Sequence, residues 1–244
     1  MQNPAAPAKL VVLISGRGSN LRSLFQASMG GRLGFEIVGV VCNRPDASGL
    51  AWASEQGIAT RLVDHRAQAD RAAFDRALVD AVKDLVSGLE EKFPASPSPP
   101  PWVVLAGFMR ILGESFVSRF NGRIVNIHPS LLPLYPGLHT HRQALADGAL
   151  LHGATVHLVT AELDRGPIVA QAIVPVLRDD SEEALAERVL SMEHRLYPLA
   201  MQWLAAGRIS LAGDRALLDG RDAADRRLLL HPMLGMPQSA GTQV

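Results

Sequence analysis

Strand-length apolar runs alternate with segments of helical periodicity through the first half of this chain, and that alternation leaves few folds open. "KLVVLIS" (Lys9–Ser15) is continuously apolar after its lysine and stops at Gly16. Such a run buries both faces, as a parallel strand does inside a layered protein. "SNLRSLFQAS" follows, with Leu21, Leu24, Phe25 and Ser28 at helical spacing, and "FEIVGVVC" (Phe35–Cys42) is a second strand. "ASGLAWASEQG" reads as a helix closed by Gly57, and "IATRLV" as a short third strand. Between Ala67 and Val86, the residues Phe74, Leu78, Val82 and Leu85 mark one face of an amphipathic helix. "WVVLAG" and "RIVNIH" supply strands four and five. The pattern predicts a three-layer α/β fold: a mainly parallel, twisted, Rossmann-like sheet flanked by helices.

After His152 the pattern changes. "HGATVHLVT" and "PIVAQAIVPV" are strand-like runs joined by "AELDRG", which predicts a hairpin or meander. "DDSEEALAERVLSMEHRLYPLAMQWLAAG" is then a long helix, with Asp180 as its expected cap and Glu183 three positions on. Leu185, Val189, Met192, Leu196 and Leu199 form its buried stripe. "FPASPSPPP" (Phe93–Pro101) favours an extended polyproline conformation and is expected to be a surface insertion between helix and strand. A single domain is expected over 9–220, with 221–244 a loosely held tail.

Composition narrows the function classes. The 244 residues, 48% of them hydrophobic, suffice for one ordinary core or at most two small domains. Lys+Arg and Asp+Glu each number 24, without the clustered basic excess that a nucleic-acid partner requires. No apolar run approaches the about 18–20 residues of a membrane span, so no membrane partner is expected. The start, "MQNPAAPAKL", lacks the basic and apolar regions of a secretory signal. The lone Cys42 cannot form an internal disulfide, and a cytoplasmic location follows as the expectation.

Three places could hold chemistry. The first is "SGRGSN" (Ser15–Asn20), between strand one and its helix. Glycines admit close backbone approach, and a helix start offers free N–H groups to a phosphate. It is not a dinucleotide fingerprint, because Leu21 occupies the third glycine position and strand two ends in Cys42-Asn43-Arg44 without a ribose-binding acid. The residues alone leave two readings open: a phosphate site, or a tight turn with Ser19 or Asn20 as N-cap. The second place is "RIVNIHP", where strand alternation puts Asn126 and His128 on one side at the carboxyl end of a parallel strand. An amide beside an imidazole can aim two donors at a developing oxyanion. The third is "ELDRG" (Glu162–Gly166), where Asp164 could pair with a histidine, hold its tautomer and favour the protonated ring, or simply be a turn residue.

Histidines crowd "NIHPSLLPLYPGLHTHRQAL": His128, His139 and His141. No H-E-x-x-H and no cysteine cluster accompanies them, so no zinc or other metal is expected. "GLHTHRQAL" reads instead as a helix start, with His139 or Thr140 near the cap and Leu145 inward. His152 and His157 flank a strand and are expected to be structural, and His194 lies on the long helix, facing either site or solvent.

Six motifs in order, "VLISGRGSNL", "CNRPDASGL", "VVLAGFMRIL", "NIHPSLLPLYPGLHTHRQAL", "HGATVHLVTAELDRGPIVAQ" and "EHRLYP", make the chain resemble the glycinamide ribonucleotide formyltransferases of purine synthesis, from about Lys9 to Gly220. The resemblance implies formyl transfer from 10-formyltetrahydrofolate, as cosubstrate, to the amine of 5-phosphoribosylglycinamide, by a monomer or homodimer. It implies a catalytic trio of Asn126, His128 and Asp164. It also implies a substrate phosphate loop at Gly18, Ser19 and Asn20, and a contact from Glu193 to the glycinamide part. Folate contacts are implied at Arg71, at Met109, Arg110, Ile111 and Leu112, at Asn126, and at Thr160, Ala161, Glu162, Leu163 and Asp164. Two positions depart from the family pattern: Arg17 stands where many relatives carry Asn, and Arg165 where Gly is common.

Related readings compete. Methionyl-tRNA formyltransferase is similar around "N-x-H-x-S-L-L-P" but carries an added tRNA-binding domain, which the short stretch after Gly220 is not expected to provide. Formyltetrahydrofolate hydrolase carries an extra amino-terminal domain, whereas strand one here begins at Lys9. Outside the family, a dinucleotide-dependent oxidoreductase lacks its glycine and acid here, and a non-catalytic nucleotide-binding module is disfavoured by the intact trio.

Overall fold

The structure, a computed structural model, describes residues 6–31, 33–90, 100–222 and 229–230. Its elements run β1 (Ala8–Ile14), α1 (Ser19–Ser28), β2 (Phe35–Cys42), α2 (Ser48–Glu55), β3 (Thr60–Leu62), a 3-10 turn (His65–Ala67), α3 (Arg71–Glu90), β4 (Trp102–Leu105), α4 (Glu114–Arg119) and β5 (Ile124–His128). Then follow α5 (Thr140–Ala146), β6 (Leu151–Leu158), β7 (Ile168–Pro175), α6 (Glu182–Ala205), β8 (Ile209–Ala212), β9 (Arg215–Leu218), β10 (Arg221–Asp222) and β11 (Leu229–Leu230).

Eight strands form the main sheet in the order β11-β7-β6-β5-β4-β1-β2-β3. All neighbours are parallel except β6, which runs antiparallel to both β5 and β7. The three-layer, mainly parallel α/β class read from the sequence is the observed one. Its physical basis shows in β1. Leu10, Val12 and Ile14 pack on one side with Leu21 and Leu24 of α1 and with Leu185, Val189 and Leu196 of α6. Val11 and Leu13 pack on the other side with Phe74, Leu78, Val82 and Leu85 of α3. A strand buried on both faces has no use for polar alternation.

Several boundaries differ from expectation for local reasons. The helix expected from Ala67 begins at Arg71, because His65–Ala67 forms a separate 3-10 turn capped by the Asp64 carboxylate. Asp70 then accepts from Ala73 N at 2.7 Å. The cap of α6 is Ser181, which accepts from Ala184 N, and not Asp180. Arg188 claims Asp180 at 2.6 Å, which also accepts from Leu177 N. Helix α4 and a small antiparallel sheet, β10-β9-β8, are additions to the sequence reading. The proline-rich stretch at 93–99 lies outside the described residues, as does most of the expected tail. Within that tail β10 and β11 are formed, β11 pairing with β7. Among the described residues no helix is long and apolar enough to cross a membrane.

Proline and tyrosine neighbours in α6 help to fasten it to the rest. Pro198 lies inside the helix and has no N–H to give to the His194 carbonyl four residues back. Ser23 Oγ of α1 donates to that carbonyl at 2.8 Å, so the proline leaves no orphan. Tyr197 is fully buried, and its hydroxyl proton is shared between Leu105 O at 2.9 Å and Val125 O at 3.1 Å. One side chain thereby bolts α6 to both β4 and β5. Tyr197→Phe keeps the ring and strands two buried carbonyls, so we expect a loss of about 1–3 kcal/mol. A lower denaturant midpoint at unchanged slope is the readout.

Candidate active site

The loop after β1 turns on Gly18, which takes a left-handed conformation (φ 71°) at the N-cap of α1 and offers no side-chain cap. A Cβ there would press on Gly49 Cα at 3.3 Å, and one at Gly49 would meet Gly16 O at 2.7 Å. The glycines are thus demanded by backbone packing as well as by conformation. Neither Ser19 nor Asn20 caps the helix. Ser19 is half-buried; Asn20 is buried and donates from Nδ2 to Glu193 Oε2 at 2.6 Å. This bond ties the start of α1 to α6 across 173 residues of sequence. Burial pushes the Glu193 carboxyl above the usual carboxylate range, and the Asn20 bond partly opposes that.

Asn126 and His128 sit on β5, and Asp164 comes from the loop between β6 and β7. The structure brings them together. His128 Nδ1 lies 3.6 Å from Asp164 Oδ2, and Nε2 lies 2.9 Å from Tyr135 O. Nε2 is thereby the donor to Tyr135 O, while the Asp164 carboxylate faces Nδ1 at ion-pair rather than hydrogen-bond distance. Asp164 Oδ2 also accepts from Gly137 N at 2.9 Å, so the loop after β5 holds ring and carboxylate alike. Three residues of these loops, Tyr135 (φ 54°), His139 (φ 60°) and Asp164 (φ 53°), adopt the left-handed conformation without being glycine.

One site residue was missed by the sequence reading. His157, expected to be structural, stands opposite Asn126 in the antiparallel register of β5 and β6. Its Nδ1 lies 3.0 Å from Leu158 O, which makes Nδ1 the donor and leaves Nε2 to accept from Asn126 Nδ2 at 3.2 Å. His157 Nε2 is also 3.8 Å from Asp164 Oδ1. Burial pushes the His157 ring below its usual value, so it is a neutral clamp that fixes which way the Asn126 amide faces. No local signal announced it: β5 and β6 are joined through α5, and the register that sets residue 157 beside residue 126 is fixed by the sheet, not by a turn.

The residues implied for folate converge from three segments. Arg71 Nη2 donates to Leu112 O at 2.6 Å, and Arg71, Leu112 and Ala161 line one depression of about 450 Å³. Met109 N is held by Ser15 Oγ at 2.7 Å while the Met109 and Ile111 side chains stand 64% and 61% exposed. Arg110 is exposed beside them, as are Thr160, Glu162 and Leu163 in the loop that carries Asp164. A larger depression of about 660 Å³, between α1 and α6, touches Ser19 but none of the trio. It is a surface groove between the two helices, apart from Asn126, His128 and Asp164.

His139 is the N-cap position of α5, as expected, and Thr140 donates to Pro129 O at 2.6 Å. His141 and His152 form a pair, Nδ1 to Nε2 at 3.2 Å, joining α5 to β6 behind the loop. Burial, then the neighbouring His141, holds His152 down to about 4. His194 faces the groove between α1 and α6, not the trio.

Comparison with known proteins places this geometry. Residues 8–201 match the formyl transferase family. The phosphoribosylglycinamide formyltransferase of Escherichia coli is 47% identical over 212 residues, covering 87% of this chain and 94% of that protein. The human trifunctional purine biosynthetic protein adenosine-3 is 41% identical over 204 residues, of which the chain spans 19% of the length. A solved phosphoribosylglycinamide formyltransferase from Coxiella burnetii superposes with a TM-score of 0.81 at 41% identity, covering 92% of this chain and 99% of that one.

The buried histidine pair carries a pH dependence. The unfolded chain takes a proton on residue 152 near the ordinary imidazole value of 6.5, whereas the folded chain resists until about 4. The stabilisation is therefore complete above 6.5 and is lost as pH falls from 6.5 towards 4. At about 1.4 kcal/mol per pH unit, the drop from 6.5 to about 4 amounts to roughly 3–4 kcal/mol. Urea midpoints measured from pH 7.5 to 4 should fall less steeply in His152→Gln than in the parent.

Proposed function

Because the chain belongs to the formyl transferase family, we propose that it moves a formyl group from 10-formyltetrahydrofolate to the amine of 5-phosphoribosylglycinamide, a step of purine nucleotide synthesis. One observation carries the assignment of chemistry to residues: Asp164, 36 positions beyond His128 in the sequence, stands 3.6 Å from the His128 ring, on the strand that also carries Asn126. The acting unit is a single domain over 9–220, a monomer or homodimer of the cytoplasm.

The amine nitrogen attacks the formyl carbon, a C–N bond forms, and the carbonyl oxygen becomes an alkoxide. Tyr135 O holds His128 Nε2, so Nδ1 is the nitrogen left to face that oxygen, with the Asp164 carboxylate beside it. His157 takes one of the two Asn126 amide protons and leaves the other for the same oxygen. Two fixed donors then meet the charge as it develops, each worth about 10²–10³ in rate. Asp164, 3.6 Å from the ring, relays the proton from the attacking amine towards the departing folate nitrogen as the second C–N bond breaks, a contribution of about 10²–10⁴. The backbone at Gly18, Ser19 and Asn20 cradles the substrate phosphate, while the Asn20–Glu193 pair meets the glycinamide half. Arg71, the 109–112 loop and residues 160–164 wall the folate. No metal or nicotinamide is needed, because every charge in the step has a side chain to meet it.

Incubation of the protein with 10-formyltetrahydrofolate, with and without the ribonucleotide, tests the reading by following folate release. Release that depends on the ribonucleotide is expected; release without it would mark a hydrolase. In the same assay His128→Ala and Asp164→Asn should each lower turnover by at least about 10² with an unchanged circular dichroism spectrum. Near-normal turnover in either variant would remove that residue from the mechanism.

A further inference from the structure

Resting on the folate reading above, we propose that Asp75, one turn beyond Arg71 on α3 and so far given no role, is a positioning residue for the folate cosubstrate. Asp75 is only 2% exposed, on a helix whose outer face is charged. A buried carboxylate must be satisfied by hydrogen bonds or it destabilises the fold. Its partners are all in one place. Oδ1 accepts from Gly113 N at 3.2 Å, and Oδ2 from Ser115 Oγ at 3.4 Å. Gly113 is the N-cap position of α4 and brings no side chain to cap it. Asp75 therefore caps α4 from another helix, taking an amide the local sequence leaves open.

The fit between the two residues is tight. Gly113 has φ −79° and ψ 163°, a conformation open to any residue, so its backbone does not require glycine. Space does: a Cβ at 113 would run into the Asp75 carboxylate. One helical turn earlier on the same face, Arg71 donates to Leu112 O. Arg71 and Asp75 thus clasp consecutive residues, 112 and 113, while Ser15 Oγ holds the other end of the loop at Met109 N and itself donates to Asn43 Oδ1 at 2.6 Å. Between these anchors Met109 and Ile111 project with most of their surface free. Asp75, Gly113 and Arg71 also line the depression that reaches Ala161. The loop's rigidity is therefore supplied from α3, while the ribonucleotide elements are tied separately through Asn20 and Glu193.

The split between the two substrates is the test. In Asp75→Ala the KM for 10-formyltetrahydrofolate should rise about tenfold, with kcat and the ribonucleotide KM within about twofold, because uniform binding of one partner is what is lost. Asp75→Asn, which keeps an acceptor for Gly113 N, should return the folate KM to within about threefold of the parent. Gly113→Ala should raise the folate KM as Asp75→Ala does, and the double variant should be no worse than either alone, since removal of the carboxylate vacates the space. Equilibrium binding of a non-reactive 10-formyl folate analogue should follow the same order. An unchanged folate KM in Asp75→Ala, or equal rises in both KM values, would overturn the proposal. Should Asp75→Ala not fold, Gly113→Ala decides alone, a normal folate KM counting against. A parent protein without ribonucleotide-dependent turnover would instead overturn the function on which the proposal rests.

Discussion

The reversal of β6 is the constraint on which the site depends. In a purely parallel sheet, β5 would be flanked by a strand entering from the same end, with a helix between them. Here β6 runs back along β5, so His157 falls opposite Asn126 and Thr155 opposite His128. The loop that leaves β6 then returns over the same residues and delivers Asp164 beside the His128 ring. Thr155 contributes from within the strand: it is fully buried, donates to Ser130 O at 2.6 Å and accepts from Leu132 N at 3.0 Å. The loop after β5 is thereby pinned to the strand that supplies the clamp on Asn126. Fixed donors of this kind act on a transition state only if they do not have to be reorganised, and the pinning provides that.

The second constraint is the long helix. Tyr197, Ser23 with Pro198, and Asn20 with Glu193 fasten α6 successively to β4 and β5, to α1, and to the glycine loop. The glycine loop after β1 and the strand that carries Asn126 are therefore referred to one rigid element. Parts drawn from positions 18, 126 and 193 can keep their spacing although nothing local in the sequence joins them.

How much of this was legible depended on whether the signal was local. Strand β2 and helix α1 read true to the residue, because apolar continuity and helical spacing are properties of a short window. Asn126 and His128 were placed on one face by strand alternation alone. The α6 cap was misplaced by one residue: Asp180 and Ser181 are both good caps, and the choice was made by Arg188, which side-chain propensity does not see. His157 was underrated for a related reason. Its value comes from cross-strand register, and a strand histidine looks the same whether its partner is a solvated residue or the Asn126 amide. The pairing of His141 with His152 and the capping of α4 by Asp75 are likewise contacts between elements, invisible to a reading made along the chain.

Tyr135, His139 and Asp164 hold their loops in a backbone conformation that ordinary side chains avoid, at about 1–2 kcal/mol each. The packing of the sheet sustains that burden around Asn126, His128 and Asp164. Changes that ease those turns would harden the protein against heat while slackening the grip on ring and carboxylate. Durability and turnover are thereby set against each other in a few loop residues, and a search for sturdier variants would do best to leave these three alone and work on the outer faces of the helices.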